Sequence, residues 1–146
     1  MLYSKLKKIR DKNYKEKNDC GVMALALTCG VSYGKAQAVM SRAGRNKRCR
    51  CSVDQMISAA DSLGFKVINL GVFSGKTLKT LKVPPNSNHL TGTPQSSHWA
   101  FTRGHVSAVV DGVVDDCAAG SLKRVTMLLK LEKVEEPCIN QRLTTT

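Results

Sequence analysis

Aromatic residues are scarce: one Trp, three Tyr and three Phe in a chain of 146 residues. None of them alternates with the basic side chains. That argues against a base-stacking platform for single strands, and no nucleic-acid module signature is present. The chain has no run of about 18 apolar residues and no secretory apolar segment, so neither a membrane span nor a signal peptide is expected. Paired C-x-x-C spacing is also missing. The nearest approach is Cys49-Arg50-Cys51, which argues against a structural zinc site. Acidic residues are few, 11 against 23 basic ones, giving a formal charge of +12.

What is present has the balance of a globular protein, with 42% apolar and 23% charged residues. The length fits one domain, 1–146, able to bury a real core. Cysteines are numerous: Cys20, Cys29, Cys49, Cys51, Cys117 and Cys138. Without a secretory segment, free thiols in a reducing cytoplasm are expected rather than a disulfide framework. Neither a cofactor nor a metal is implied. The positive charge lies mainly in three clusters: Lys5–Lys17, Arg42–Arg50 and Lys76–Lys82. They form solvated faces, or they attract an acidic protein or substrate. Nucleic acid is the less favoured polyanion, since no module accompanies the charge.

The elements follow from periodicity and caps. Residues 1–12 predict a short basic helix with Leu2, Leu6 and Ile9 inward. Asp19 is placed to N-cap a helix that runs from Cys20 through an apolar stretch to Cys29, with Gly30 as its stop. Ser32 caps a helix to about Ala43. Ser52 and Gln55 form a capping box for a third, closed by Gly64. A strand is expected over Phe65–Leu70 and a short helix over Thr77–Leu81. Residues 84–97 read as a long loop. Beyond it the period switches to two. Strands run through His98–Thr102 and His105–Val110, turn at Asp111-Gly112, and return through Val113–Asp116. Arg124–Leu131 is the last strand, and the chain loosens from Pro137. Helices over about 1–64 followed by strands over about 65–134 predict an α+β fold, a helical layer on an antiparallel sheet.

The chemistry centres on Asn18-Asp19-Cys20-Gly21. A cysteine in the first turn of a helix meets unpaired N–H groups and the positive end of the macrodipole, which favour thiolate. A buried packing cysteine gives the same pattern. A thiol nucleophile needs a base, and the base needs an orienting group. His105 opens a strand after Gly104, and His98 and His89 are rivals. With a two-residue loop at Asp111-Gly112, Ser107 pairs with Asp116. His105, Ser107 and Asp116 then share one face and Asp115 takes the other. One extra loop residue reverses this, so Asp115 stays the second candidate.

Asn18-Asp19-Cys20-Gly21-x-x-Ala24-Leu25-Ala26 resembles the "DCGxAALAM" segment of papain-like cysteine peptidases, specifically the bacteriocin-processing, double-glycine leader-peptidase family. Met56 to Val67 stands where that family has "xxxLxxAAxxLGFxV". Gly104-His105 to Val110 stands for its "GH(F/W)VVV" strand, and Val113 to Asp116 for its strand ending in "DP". The resemblance spans about residues 13–117. It implies a papain-like fold, Cys20 as nucleophile, His105 as base and Asp116 or Asp115 as orienting carboxylate. A peptide or protein substrate, in keeping with the charge an acidic one, would be cleaved through a thioester. The family places an oxyanion-stabilising Gln six residues before the Cys. Here Tyr14 stands there, with Asn13 and Asn18 as nearby amides. The substitution motivates an alternative, a catalytically silent relative that binds an acidic partner. Acyl transfer on the same triad is a third reading.

Overall fold

A computed structural model describes residues 2–71, 76–81 and 97–134. Most of the 84–97 loop, His89, Cys138 and the stretch from Pro137 lie outside these. The described residues form an α+β fold of four helices and a five-stranded antiparallel sheet. The helices come first: α1 Tyr3–Asn13, α2 Cys20–Cys29, α3 Tyr33–Arg42 and α4 Val53–Ser62. The strands are β1 Phe65–Asn69, β2 Ser97–Thr102, β3 His105–Val110, β4 Val113–Asp115 and β5 Met127–Lys133. Their order across the sheet is β1-β5-β2-β3-β4. The last strand thus inserts between the first and the second, a non-local pairing that periodicity does not reveal.

Local chemistry accounts for the helix ends. Ser32 accepts a hydrogen bond from the Lys35 N–H at 3.1 Å, and Ser52 and Gln55 complete a reciprocal capping box. Each satisfies donors that a helix start leaves unpaired. Gly30 takes the left-handed conformation that ends α2, with φ +67°. In α2 every residue from Gly21 to Thr28 is buried. The helix is apolar all round because α3 and α4 pack on it from one side, β2 and β3 from the other. Trp99 on β2 is fully buried in that core, and its indole N–H donates to the Thr28 hydroxyl at 2.9 Å. A smaller cluster of Leu78, Ala100, Val109, Val125 and Leu128 covers the opposite face.

Several expectations are corrected. Along α1 only Leu6 is buried, while Leu2 and Ile9 are exposed, so the helix docks by a narrower contact than its pattern implies. Residues 77–80 form a bridge and turn, not a helix: Thr77 pairs with Arg124, and the Thr77 and Thr80 side chains satisfy one another's backbone. The last strand starts at Met127 rather than Arg124, where its pairing with Phe101 begins. Arg45, counted among surface charges, is buried. Its guanidinium forms an ion pair with Glu16 at 3.1 Å, and both side chains are fully shielded. Arg45 also donates to the carbonyls of Cys49 and Lys17. Gln37 and the Arg48 N–H complete the shell around Glu16. This knot ties the segment leading to Cys20 to the basic loop after α3.

Candidate active site

Cys20 is the first residue of α2. The helix's first internal hydrogen bond runs from the Met23 N–H to the Asp19 carbonyl at 2.9 Å, so the N–H groups of residues 20–22 lack helical partners. Asp19 occupies the N-cap position, but its side chain does not cap. Its carboxylate instead accepts from Arg10 at 3.0 Å and from the buried Tyr33 hydroxyl at 2.8 Å. The cap is thereby exchanged for an anchor that fixes where α2 begins. Gly21 is required by a neighbour: a Cβ there would collide with the Cys51 sulfur.

Asp111 and Gly112 both have positive φ, +50° and +83°, the signature of a type I′ turn. The two-residue loop sets the register Val110↔Val113 and Ala108↔Asp115. Parity then places His105, Ser107 and Asp116 on one face. Asp115 goes to the other face, where its carboxylate accepts from the Tyr3 N–H at 3.0 Å and holds the start of α1. Asp115 is therefore an anchor for a helix and not a partner of His105.

His105 Nε2 lies 2.7 Å from Asp116 Oδ2. A carboxylate only accepts, so Nε2 carries the proton. The other ring nitrogen is left for the Cys20 thiol, which lines the same cleft and whose interaction with His105 shifts both groups toward their charged forms. Asp116 accepts further bonds from the Ala118 N–H at 2.9 Å and the Ser107 hydroxyl at 3.1 Å. Burial works against its charge, but the His105 bond and then the Ala118 bond outweigh it and hold the carboxyl below its usual range. In turn, the hydrogen bond to Asp116 and then that to Cys20 raise His105 to about 10. For Cys20, burial again opposes ionisation. The His105 bond, the Val106 backbone N–H and the His105 charge reverse that, so the thiol pKa is lowered. The arrangement favours a thiolate–imidazolium pair oriented by a carboxylate.

These groups line a cleft of about 240 Å³ together with Asn18, Asp19 and Met23. Tyr3, Arg50, Gly104 and Cys117 complete it. Asn18 is the one oxyanion candidate in the cleft. Its amide donates to the Arg48 carbonyl at 3.2 Å, which leaves its second N–H uncommitted by that bond. Asn13 is the exposed last residue of α1 and does not line the cleft. Tyr14 packs its ring on Tyr33, centroids 4.8 Å apart, and its hydroxyl abuts Gly34. It is turned into α3, away from Cys20. His98 is buried on β2 opposite Val109 and Lys130, outside the cleft, and burial lowers it to about 4.

Cys117 is exposed in the cleft, and its thiol points at Asp116 Oδ2 across 3.7 Å. Cys51 packs against Gly21, and burial followed by the nearby Cys20 pushes it up to about 11. The donor atoms of His105, Asp116 and Cys117 lie within 4.8 Å of one another, a set with which zinc is compatible. Zinc bonds of about 2.0–2.2 Å hold ligand atoms about 3.3 Å apart in a tetrahedron. The His105–Asp116 contact of 2.7 Å is a hydrogen bond that metal binding would have to open. Tyr3 and Arg50 escaped sequence reasoning, because each reaches the cleft from an element remote in the chain. Among known proteins, no family model, curated protein or solved structure matches this chain. No helix among the described residues is long and apolar enough to cross a membrane.

Proposed function

We propose that the cleft is the active site of a papain-like cysteine peptidase or related amidohydrolase. The observation that carries the reading is the 2.7 Å contact of His105 Nε2 with Asp116 in the cleft that Cys20 also lines. The Cys20 thiolate attacks a substrate carbonyl carbon. Its oxygen becomes an oxyanion, received by the Cys20 N–H and the free N–H of the Asn18 amide. The tetrahedral adduct collapses, the C–N bond breaks, and His105 gives its proton to the leaving amine. Neutral His105 then takes a proton from water, which attacks the thioester and releases acid and thiolate. Asp116 holds the imidazole in the tautomer and orientation both steps need.

A quenched-peptide library read by mass spectrometry tests this. Wild type is expected to cleave, and Cys20→Ala to leave every peptide intact. The acylating form is thiolate with imidazolium. Activity therefore rises with pH through the lowered Cys20 pKa and falls as His105 loses its proton near 10. Cleavage by Cys20→Ala equal to wild type refutes the assignment.

Asn18 offers a sharper test of the oxyanion role. It sits at φ +53°, a conformation asparagine and glycine tolerate. Asn18→Gly keeps that backbone and removes the donor, so kcat is expected to fall about 100-fold with little change in melting temperature. An unchanged kcat would remove Asn18 from the site.

The alternative reading, a catalytically silent relative that binds an acidic partner, draws on Tyr14 being turned into α3. It predicts binding that survives Cys20→Ala and weakens steeply with salt.

A further inference from the structure

Within the cleft, charges are compensated with one exception. Asp19 is paired with Arg10 at 3.0 Å. Asp116 is paired with His105 at 2.7 Å, and His105 faces the Cys20 thiol. Arg50 also lines the cleft, is exposed, and has no ion-pair or hydrogen-bond partner among the described residues. Its place is set by a close approach. A Cβ at Gly104 would lie 3.2 Å from Arg50 Nη1, so the guanidinium rests over the residue immediately before His105. Gly104 holds φ +72°, which both opens the turn and removes the side chain that would push Arg50 aside. The loop bearing Arg50 is fixed at its base by the buried Glu16–Arg45 pair and by the Asn18 amide on the Arg48 carbonyl.

An unpaired guanidinium beside a nucleophile recognises a planar anion by a bidentate contact. We propose that Arg50 is a specificity residue, and that the cleft takes peptides bearing an Asp or Glu side chain next to the bond attacked by Cys20. This rests on Cys20 being the nucleophile. The remaining basic residues steer such substrates from a distance, whereas Arg50 alone among the cleft's cations is left to touch them.

Two reagents of the same size report the field at Cys20. Iodoacetate carries a carboxylate one bond from the carbon that the thiolate attacks, and iodoacetamide carries a neutral amide there. In both, a C–S bond forms and iodide leaves. Peptide-resolved mass spectrometry gives the two rates for Cys20 separately from Cys49, Cys51 and Cys117. The iodoacetate-to-iodoacetamide ratio is expected to fall about five-fold in Arg50→Gln, the size of one charge near the surface. It should stay near wild type in Arg50→Lys and shrink in wild type at 0.5 M salt, where the Debye length is only a few ångströms. A second arm uses peptidyl fluoromethyl ketones with Glu or Gln beside the ketone. The Glu probe is expected to label Cys20 faster in wild type, with the difference lost in Arg50→Gln.

A ratio unmoved by Arg50→Gln, while Cys20 stays reactive and dependent on His105, overturns the role of Arg50 and leaves the nucleophile standing. Loss of the iodoacetate ratio with no Glu preference overturns the peptide side-chain assignment. A Cys20 that does not alkylate overturns both the nucleophile and this proposal. Arg50 has no ion-pair or hydrogen-bond partner to lose among the described residues, so both variants are expected to fold.

Discussion

At pH 6, His105→Ala is expected to slow Cys20 alkylation by about 100-fold or more. A cysteine of ordinary pKa, about 8.5, is only about 0.3% ionised at that pH. In the wild type, burial of Cys20 is overcome by the His105 hydrogen bond, the Val106 N–H and the His105 charge, so its pKa is lowered. The rate against pH should therefore hold a plateau on the acid side that His105→Ala abolishes. Asp116→Asn is expected to act on the same limb through the histidine, because it removes the contact that raises His105 to about 10. The measurement must resolve peptides, since Cys49 and Cys117 are exposed and Cys51 is not. A Cys20 rate that follows an ordinary thiol and ignores His105 would make Cys20 a packing residue of α2. The binding reading would then stand alone.

The second large effect concerns stability. Glu16→Ala is expected to cost about 3–5 kcal/mol, because it leaves Arg45 buried without its counter-charge. That is a large share of the 5–15 kcal/mol typical of a domain. Glu16 receives both Arg45 nitrogens at 3.1 Å, Gln37 at 2.6 Å and the Arg48 N–H at 2.9 Å. Burial raises its pKa, but these hydrogen bonds reverse the effect and hold it at about 2. For a carboxyl lowered on folding, the stabilisation is full above the unfolded value. It is lost as pH falls through the folded one. Acid destabilisation is thus expected between about pH 4.5 and 2, and Glu16→Gln should flatten that window. Urea melts at pH 7 and pH 3 read both effects. A loss below 1 kcal/mol for Glu16→Ala would show that the pair is solvated. Replacing both partners, as in Glu16→Leu with Arg45→Met, should restore part of the stability, since the cost arises from the unpaired charge.

The two predictions meet at the cleft. The Glu16 knot lies between the segment that delivers Asn18 and Cys20 and the loop that delivers Arg50. A loosened knot should therefore weaken any Arg50-dependent discrimination before the chain unfolds.

Local rules wrote the helix starts and stops into the sequence by themselves. The Ser52–Gln55 box, the Ser32 cap and the Gly30 stop depend on residues within one or two turns, so α2, α3 and α4 are legible within a residue or two. The Asp111-Gly112 turn is as local. Because side chains alternate along a strand, it also determined that His105 and Asp116 share a face and that Asp115 does not. What local rules could not supply is distance between remote segments. Glu16 and Arg45 read as members of charge clusters, and only folding buries them against each other. Tyr14 held the place of an oxyanion donor in sequence, but aromatic packing on Tyr33 turns it into α3. Asp19 was a cap by composition, but the Tyr33 hydroxyl and Arg10 claim its carboxylate. Arg50 is one of 23 basic residues in the sequence. It becomes a candidate recognition group only because the loop lays it over a glycine beside His105. Periodicity and capping act over one turn of chain, whereas the cleft is made by five segments that meet only when the helices close on the sheet.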